Sequence, residues 1–169
     1  GHKDNFAGVK RTAAGEDYRI YISQTVDKKG KNPLPPDRKL YWITKMFPEH
    51  RGKFHSGPKE PVAIMKDLMM AGYDEAVFLV GSDRVSAMQF LHKYNGNDKD
   101  FSFRTLEIIS SGSRDADGDT FAVSGTKMRR AAFAKDFKAF RAGIPTSLND
   151  KECYAMMIEI AANLPANFK

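Results

Sequence analysis

The run Ala76-Val77-Phe78-Leu79-Val80, five apolar residues closed by Gly81, constrains this chain more than any other stretch. A strand with no polar interruption reads as one buried on both faces, as in a parallel sheet flanked by helices. The neighbouring pattern supplies the alternation such a sheet needs. Residues 18–23 (Tyr-Arg-Ile-Tyr-Ile-Ser) read as a strand, Lys53–Ser56 as a short one and Phe103–Ile109 as another. Residues 3–14 read as a helix with an imperfect face of Phe6, Val9, Lys10 and Ala13, ended by Gly15. Pro36 fits the first turn of a helix through Leu40, Trp42, Ile43 and Met46 that stops at Pro48. Pro61 opens the next, which runs to Met70 and is closed by Gly72. Ser82 is read as the cap of a further helix that buries Val85, Met88, Phe90 and Leu91. A Ser/Gly/Asp-rich loop at 110–120 precedes helices at 124–134, 136–142 and 149–163. The expectation is one α/β domain over 1–169 with parallel strands and right-handed crossovers, its residues 135–169 forming a C-terminal helical extension.

Composition narrows the partners. The chain has 169 residues, 41% hydrophobic and 28% charged, enough to bury a core. Its net charge of +6 suits a nucleic acid, a membrane surface or a phosphorylated small molecule. The basic residues are scattered and show no stripe interleaved with aromatics, so nucleic acid is the least favoured. No apolar run approaches a membrane span, and no signal peptide is visible. The single cysteine, Cys153, excludes an internal disulfide, and no Cys/His cluster has zinc spacing. A reducing compartment, the cytoplasm, is expected.

Ligands of parallel sheets bind beyond the carboxyl ends of the strands. Polar groups crowd those ends here: residues 23–31, then Gly81-Ser82-Asp83-Arg84, then residues 110–114. The stretch Ser124-Gly125-Thr126-Lys127-Met128-Arg129 follows, where a loop gives way to a helix. Ser124 can cap that helix, Gly125 lets backbone approach a ligand, Thr126 adds a hydroxyl, and Arg129 lies one turn on. Free backbone N–H groups, two hydroxyls and a guanidinium are what a polyphosphate tail requires. An ordinary capped helix with a surface arginine has the same residues, so the motif by itself leaves both readings open.

Together, Gly1-His2, Lys31-Asn32-Pro33-Leu34, Val80-Gly81-Ser82-Asp83-Arg84 and the Ser124–Arg129 motif resemble the nucleotidyltransferase superfamily with the HxGH signature. That group contains nicotinamide-mononucleotide adenylyltransferases, phosphopantetheine adenylyltransferase and cytidylyltransferases. The resemblance is nearest to small phage-encoded members with a Thr-x-Gly-His variant, and it runs in order over nearly the whole chain. It implies a Rossmann-like parallel sheet with helices on both faces, whose first, central strand leads into the Gly-His pair. That strand is missing from this sequence. The natural polypeptide is therefore expected to be longer at its N-terminus, or a second chain to supply the strand. For a phage-encoded protein the compartment would be the host cytoplasm.

The resemblance implies transfer of AMP or CMP from ATP or CTP to a phosphorylated small molecule, with release of pyrophosphate. The acceptor phosphate is already anionic, so positioning and charge stabilisation suffice without a triad or carboxylate pair. It assigns His2, Lys31 and Arg129 to catalysis. Gly1, Lys28, Gly81, Asp83, Arg114, Ser124, Gly125 and Thr126 would bind nucleotide or phosphate, with Arg38 as a helper of Lys31. Mg²⁺ is expected as cofactor, held by phosphates and water, with no protein metal ligand. Each residue has a plainer reading. His2 would be a surface histidine, Lys28 a solvated loop lysine, Asp83 a complement to a helix dipole and Arg114 a partner of a nearby aspartate. Trp42, Tyr41 and Phe47 read as core or as the wall of an acceptor pocket. The competing function is a structural or assembly role in a phage particle without catalysis, with a homo-oligomer or virion partner. A basic nucleic-acid-binding module ranks third.

Overall fold

The computed structural model describes residues 2–96, 99–111 and 125–169, with residues 2–5 described by backbone alone. It is a mixed α/β protein. In order come α1 (His2–Ala13), β1 (Ile20–Tyr21), α2 (Pro36–Met46), β2 (Phe54–His55), α3 (Pro61–Met70) and β3 (Glu75–Val80). These are followed by α4 (Val85–Met88), β4 (Thr105–Ser110), α5 (Gly125–Phe133), α6 (Phe137–Ala142) and α7 (Asp150–Ala162). Among the described residues the strands form two separate parallel pairs, β1 with β2 and β3 with β4. Residues group into two compact units, one of 19–56 with the described part of 119–169, the other of 2–18 with the described part of 57–118.

The first unit has a helical core. Pro36 sits in the first turn of α2, where its missing N–H costs nothing. Asn149 caps α7 through a capping box, its side chain accepting from the Glu152 N–H at 2.8 Å while Glu152 accepts from the Asn149 N–H at 3.1 Å. Helix α7 then buries Cys153, Met156, Met157 and Ile160, a 3–4 spacing that turns one stripe inward. Against that stripe lie Trp42, Ala131, Ala132, Phe140 and Leu148. The helices expected as a C-terminal extension thus carry the core of this unit. Glu159 on α7 accepts both the Trp42 indole N–H and, at 2.6 Å, the Arg38 Nε–H. Arg38, expected to assist Lys31, is instead paired with that carboxylate and lies over the Tyr41 ring at 4.4 Å. Trp42 and Phe47 are core, whereas Tyr41 is exposed.

The second unit is built on β3 and β4, aligned from Glu75 opposite Thr105 to Val80 opposite Ser110. Its core gathers Met65, Leu91, Phe101, Leu106 and Ile108. The apolar run is a strand as expected, but it is not buried on both faces. Ala76 is buried while Val77 is 49% exposed. The reason lies in its surroundings. Glu75 and Val77 share a face with Thr105 and Glu107, their register partners, and all four side chains are exposed. A face carrying two glutamates stays in water.

The helix expected after Ser82 also differs. It is a 3-10 turn at Ser82–Arg84, a single α turn at Val85–Met88 and a 3-10 helix at Gln89–Tyr94. Its apolar positions Val85, Met88 and Leu91 recur every three residues, the period of a 3-10 rather than an α-helix. Phe90 therefore falls off the buried stripe and is 37% exposed. Gly81, not Ser82, occupies the cap position, and a glycine has no side chain to cap with.

Candidate functional site

Four expected site residues with described side chains or backbone lie in the first unit besides Lys28: Lys31, Gly125, Thr126 and Arg129. Gly125 begins α5, so the first-turn amides there lack acceptors within the helix. Thr126 and Arg129, three residues apart, fall on one stripe, and Arg129 Nη2 donates to Thr126 Oγ1 at 3.1 Å. The guanidinium folds back over Gly125 so closely that a Cβ there would sit 3.0 Å from Arg129 Nη1. Arg129 Nε is buried and, among the described residues, has no acceptor. Burial pushes the Arg129 pKa below the ordinary arginine value, and the nearby Asp27 carboxylate opposes that shift. The arginine remains a cation.

Asp27 is the residue that sequence reasoning missed. Its carboxylate accepts from the backbone N–H groups of Lys29 at 2.9 Å, Lys31 at 3.1 Å and Asn32 at 2.9 Å, and from the Asn32 side-chain amide at 2.9 Å. The Asp27 N–H closes the ring by donating to the Asn32 carbonyl at 3.2 Å. The Asn32 amide above all, then the three backbone donors, hold the Asp27 pKa below the usual carboxylate value despite partial burial. The effect is a fixed loop bearing Lys28, Lys29 and Lys31. Lys28 and Lys31 are exposed, and among the described residues neither ammonium has a partner. Gly30 completes the turn with φ of +86°, a conformation that disfavours any side chain. The sequence itself reads as a basic, turn-rich loop from Asp27 to Pro35; what that reading misses is that the Asp27 carboxylate organises it. Lys39 of α2 joins the cluster, donating to the carbonyls of Ser23 at 3.3 Å and Thr25 at 2.5 Å. Burial lowers its pKa, again against the pull of Asp27.

The other expected residues lie elsewhere. His2 begins α1, and Gly81 and Asp83 follow β3; all three belong to the second unit. Asp83 is exposed in the first turn of the 3-10 helix, which is the dipole-complement position. The side chain of His2, and Gly1, Arg114 and Ser124 altogether, lie outside the described residues. Among the described residues no three His, Cys, Asp or Glu side chains come together as metal ligands. No described helix is long and apolar enough to cross a membrane.

Compared with protein-family models, curated proteins and solved structures, the chain matches none.

Proposed function

We propose that the start of α5 and the lysine loop form the triphosphate site of a nucleotidyltransferase. In this reading the chain folds as a Rossmann-like member of the HxGH superfamily. It joins AMP, or in the competing version CMP, to a phosphorylated acceptor. An acceptor phosphate oxygen attacks the α-phosphorus in line, the bond to the β-phosphate oxygen breaks, and pyrophosphate leaves. Lys31 and Arg129 offset the charge that grows on the leaving phosphates, and the Gly125 and Thr126 end of α5 offers amides and a hydroxyl to their oxygens. His2 would donate to the α- or β-phosphate. Gly81 and Asp83 would meet the nucleoside, and Gly1, Lys28, Arg114 and Ser124 would complete the phosphate contacts. The four donors on Asp27 leave it no free lone pair aimed outward for a metal. Mg²⁺ would therefore be held by phosphate oxygens and water, where it offsets their charge.

The observation that carries the reading is Arg129. A buried guanidinium N–H without an acceptor costs about 1–3 kcal/mol. A structural arginine would have been paired, whereas one that swings from Thr126 onto an anion recovers that cost. Full-length protein with Mg²⁺, ATP or CTP and a panel of phosphorylated acceptors should release pyrophosphate. Arg129→Ala should abolish the release. Silence across the panel, with no rise in melting temperature on adding nucleotide, would reject catalysis.

A second reading has its own support. The strands form two separate pairs among the described residues, and the face of β3 bearing Val77 is open. A protein of this fold that serves in assembly would keep such a face for a partner. Nucleotide-independent self-association or capture by a virion component would favour it.

A further inference from the structure

The lysine loop and α5 are far apart in sequence, and one ring lies against both. Phe168 packs on Gly30 so tightly that a Cβ on that glycine would come 2.8 Å from its Cδ2 and 2.9 Å from Cδ of Pro165. The same ring meets Phe133 with centroids 5.5 Å apart and planes tilted by 57°. Phe133 lies four residues beyond Arg129 on α5, so ring and guanidinium share one stripe of that helix. Phe168 is itself held by the turn in which its N–H donates to the Pro165 carbonyl at 3.0 Å. Gly30 immediately precedes Lys31, and Asp27 locks both into one loop.

We propose that Phe168 is a positioning residue, a wedge between Gly30 and Phe133 that fixes Lys31 relative to the Arg129 stripe of α5. The inference rests on the anion-site reading above for its consequence, though not for its geometry. Without the ring, the loop can still form its Asp27 hydrogen bonds, but they open more often because the surface it is seated on is gone. The lysine then samples more positions before it can share an anion with Arg129, and that ordering is charged against binding.

The test uses Phe168→Ala and the conservative Phe168→Leu. Hydrogen exchange at the Lys29, Lys31 and Asn32 amides reads the seat directly. It should accelerate about tenfold or more in Phe168→Ala while α7 keeps its protection, and Phe168→Leu should restore most of the difference. Titration with inorganic tripolyphosphate should show affinity falling about two- to tenfold in Phe168→Ala. That loss should disappear when Lys31→Ala is already present, since the wedge acts through the lysine. Unchanged loop exchange in Phe168→Ala overturns the proposal. So does an affinity loss that persists without Lys31. Wild-type protein that ignores tripolyphosphate sinks the anion site instead, and the exchange data alone then decide whether the wedge exists.

Discussion

The two units close their cores differently. In the helical unit the buried stripe is made by helices packing on helices: Ala132, Phe140, Leu148, Cys153 and Met157 have no exposed surface, although Phe133 and Tyr154 at its edge stay exposed. In the strand unit, Met65 and Leu91 are as deeply buried, yet β3 leaves Val77 half in water and α3 ends on a Met70 that is 84% exposed. The difference follows from what each element packs against. Helix α7 has α5 and α6 as neighbours, so its stripe is closed. Among the described residues strand β3 has one hydrogen-bonded partner, and the face it shares with Glu107 carries charge. The residues with anion chemistry that the structure describes in most detail, Lys31, Thr126 and Arg129, belong to the closed unit. A binding group works best on elements that do not move when a ligand arrives, and a helix seated on a buried core supplies that.

Truncations should separate the units most sharply. Phe140→Ala removes a ring with no exposed surface and should cost about 3–5 kcal/mol in denaturant unfolding, through lost transfer energy and the cavity left behind. A cost below about 1 kcal/mol would mean that the helical core is looser than its burial indicates. Next in size is the effect of Arg129→Ala on the proposed reaction, a loss of about a hundredfold or more in pyrophosphate release. Its melting temperature should hardly move, because the loss of the Thr126 hydrogen bond is offset by removal of the unpaired Nε. A variant that melts early but keeps its rate would make Arg129 structural.

Legibility did not follow that division. Helices that begin with proline were readable to the residue: α2 starts at Pro36 and α3 at Pro61, because proline fixes φ and has no N–H to satisfy. The strand at 75–80 was readable from composition, but its environment was not. Burial on both faces depends on what the neighbouring strand turns outward, and Glu107 lies thirty residues from Val77. The Thr126–Arg129 stripe needed only helical spacing. Asp27 was invisible as a site residue because its role is set by the five residues after it, where three backbone N–H groups and the Asn32 side-chain amide turn inward. The pairing of Arg38 with Glu159 spans most of the chain and left no local trace.

Acid should expose what Asp27 does. Its pKa in the folded protein lies below the reference carboxylate value of 3.8. The stability it contributes is therefore fully present above that value and is lost as pH falls through the lower folded value. Amides of Lys29, Lys31 and Asn32 should hold their protection at neutral pH and lose it on that descent, before the core of α7 opens. Asp27→Asn should remove the acid-dependent step and weaken tripolyphosphate binding a few-fold, since an amide oxygen accepts these bonds less strongly than a carboxylate. If the loop amides of the variant stay as protected as in the wild type, the hydrogen bonds to Asp27 are not what orders the loop.

The smallest effect is the most informative about the strand unit. Val77→Thr keeps the side-chain shape, suits a strand and adds one hydroxyl. If the β3 face is open to water, as its 49% exposure indicates, the change should fall within about 0.5 kcal/mol of wild type. If the working protein covers that face, the hydroxyl is taken out of water without a partner and the cost rises to about 1–3 kcal/mol. Dilution tells the two sources of cover apart. A cost that fades as protein concentration is lowered places a second copy or another chain over Val77, in line with an assembly role. A cost that stays constant means that the cover belongs to the same polypeptide, and the contrast between the two units would then be one of degree.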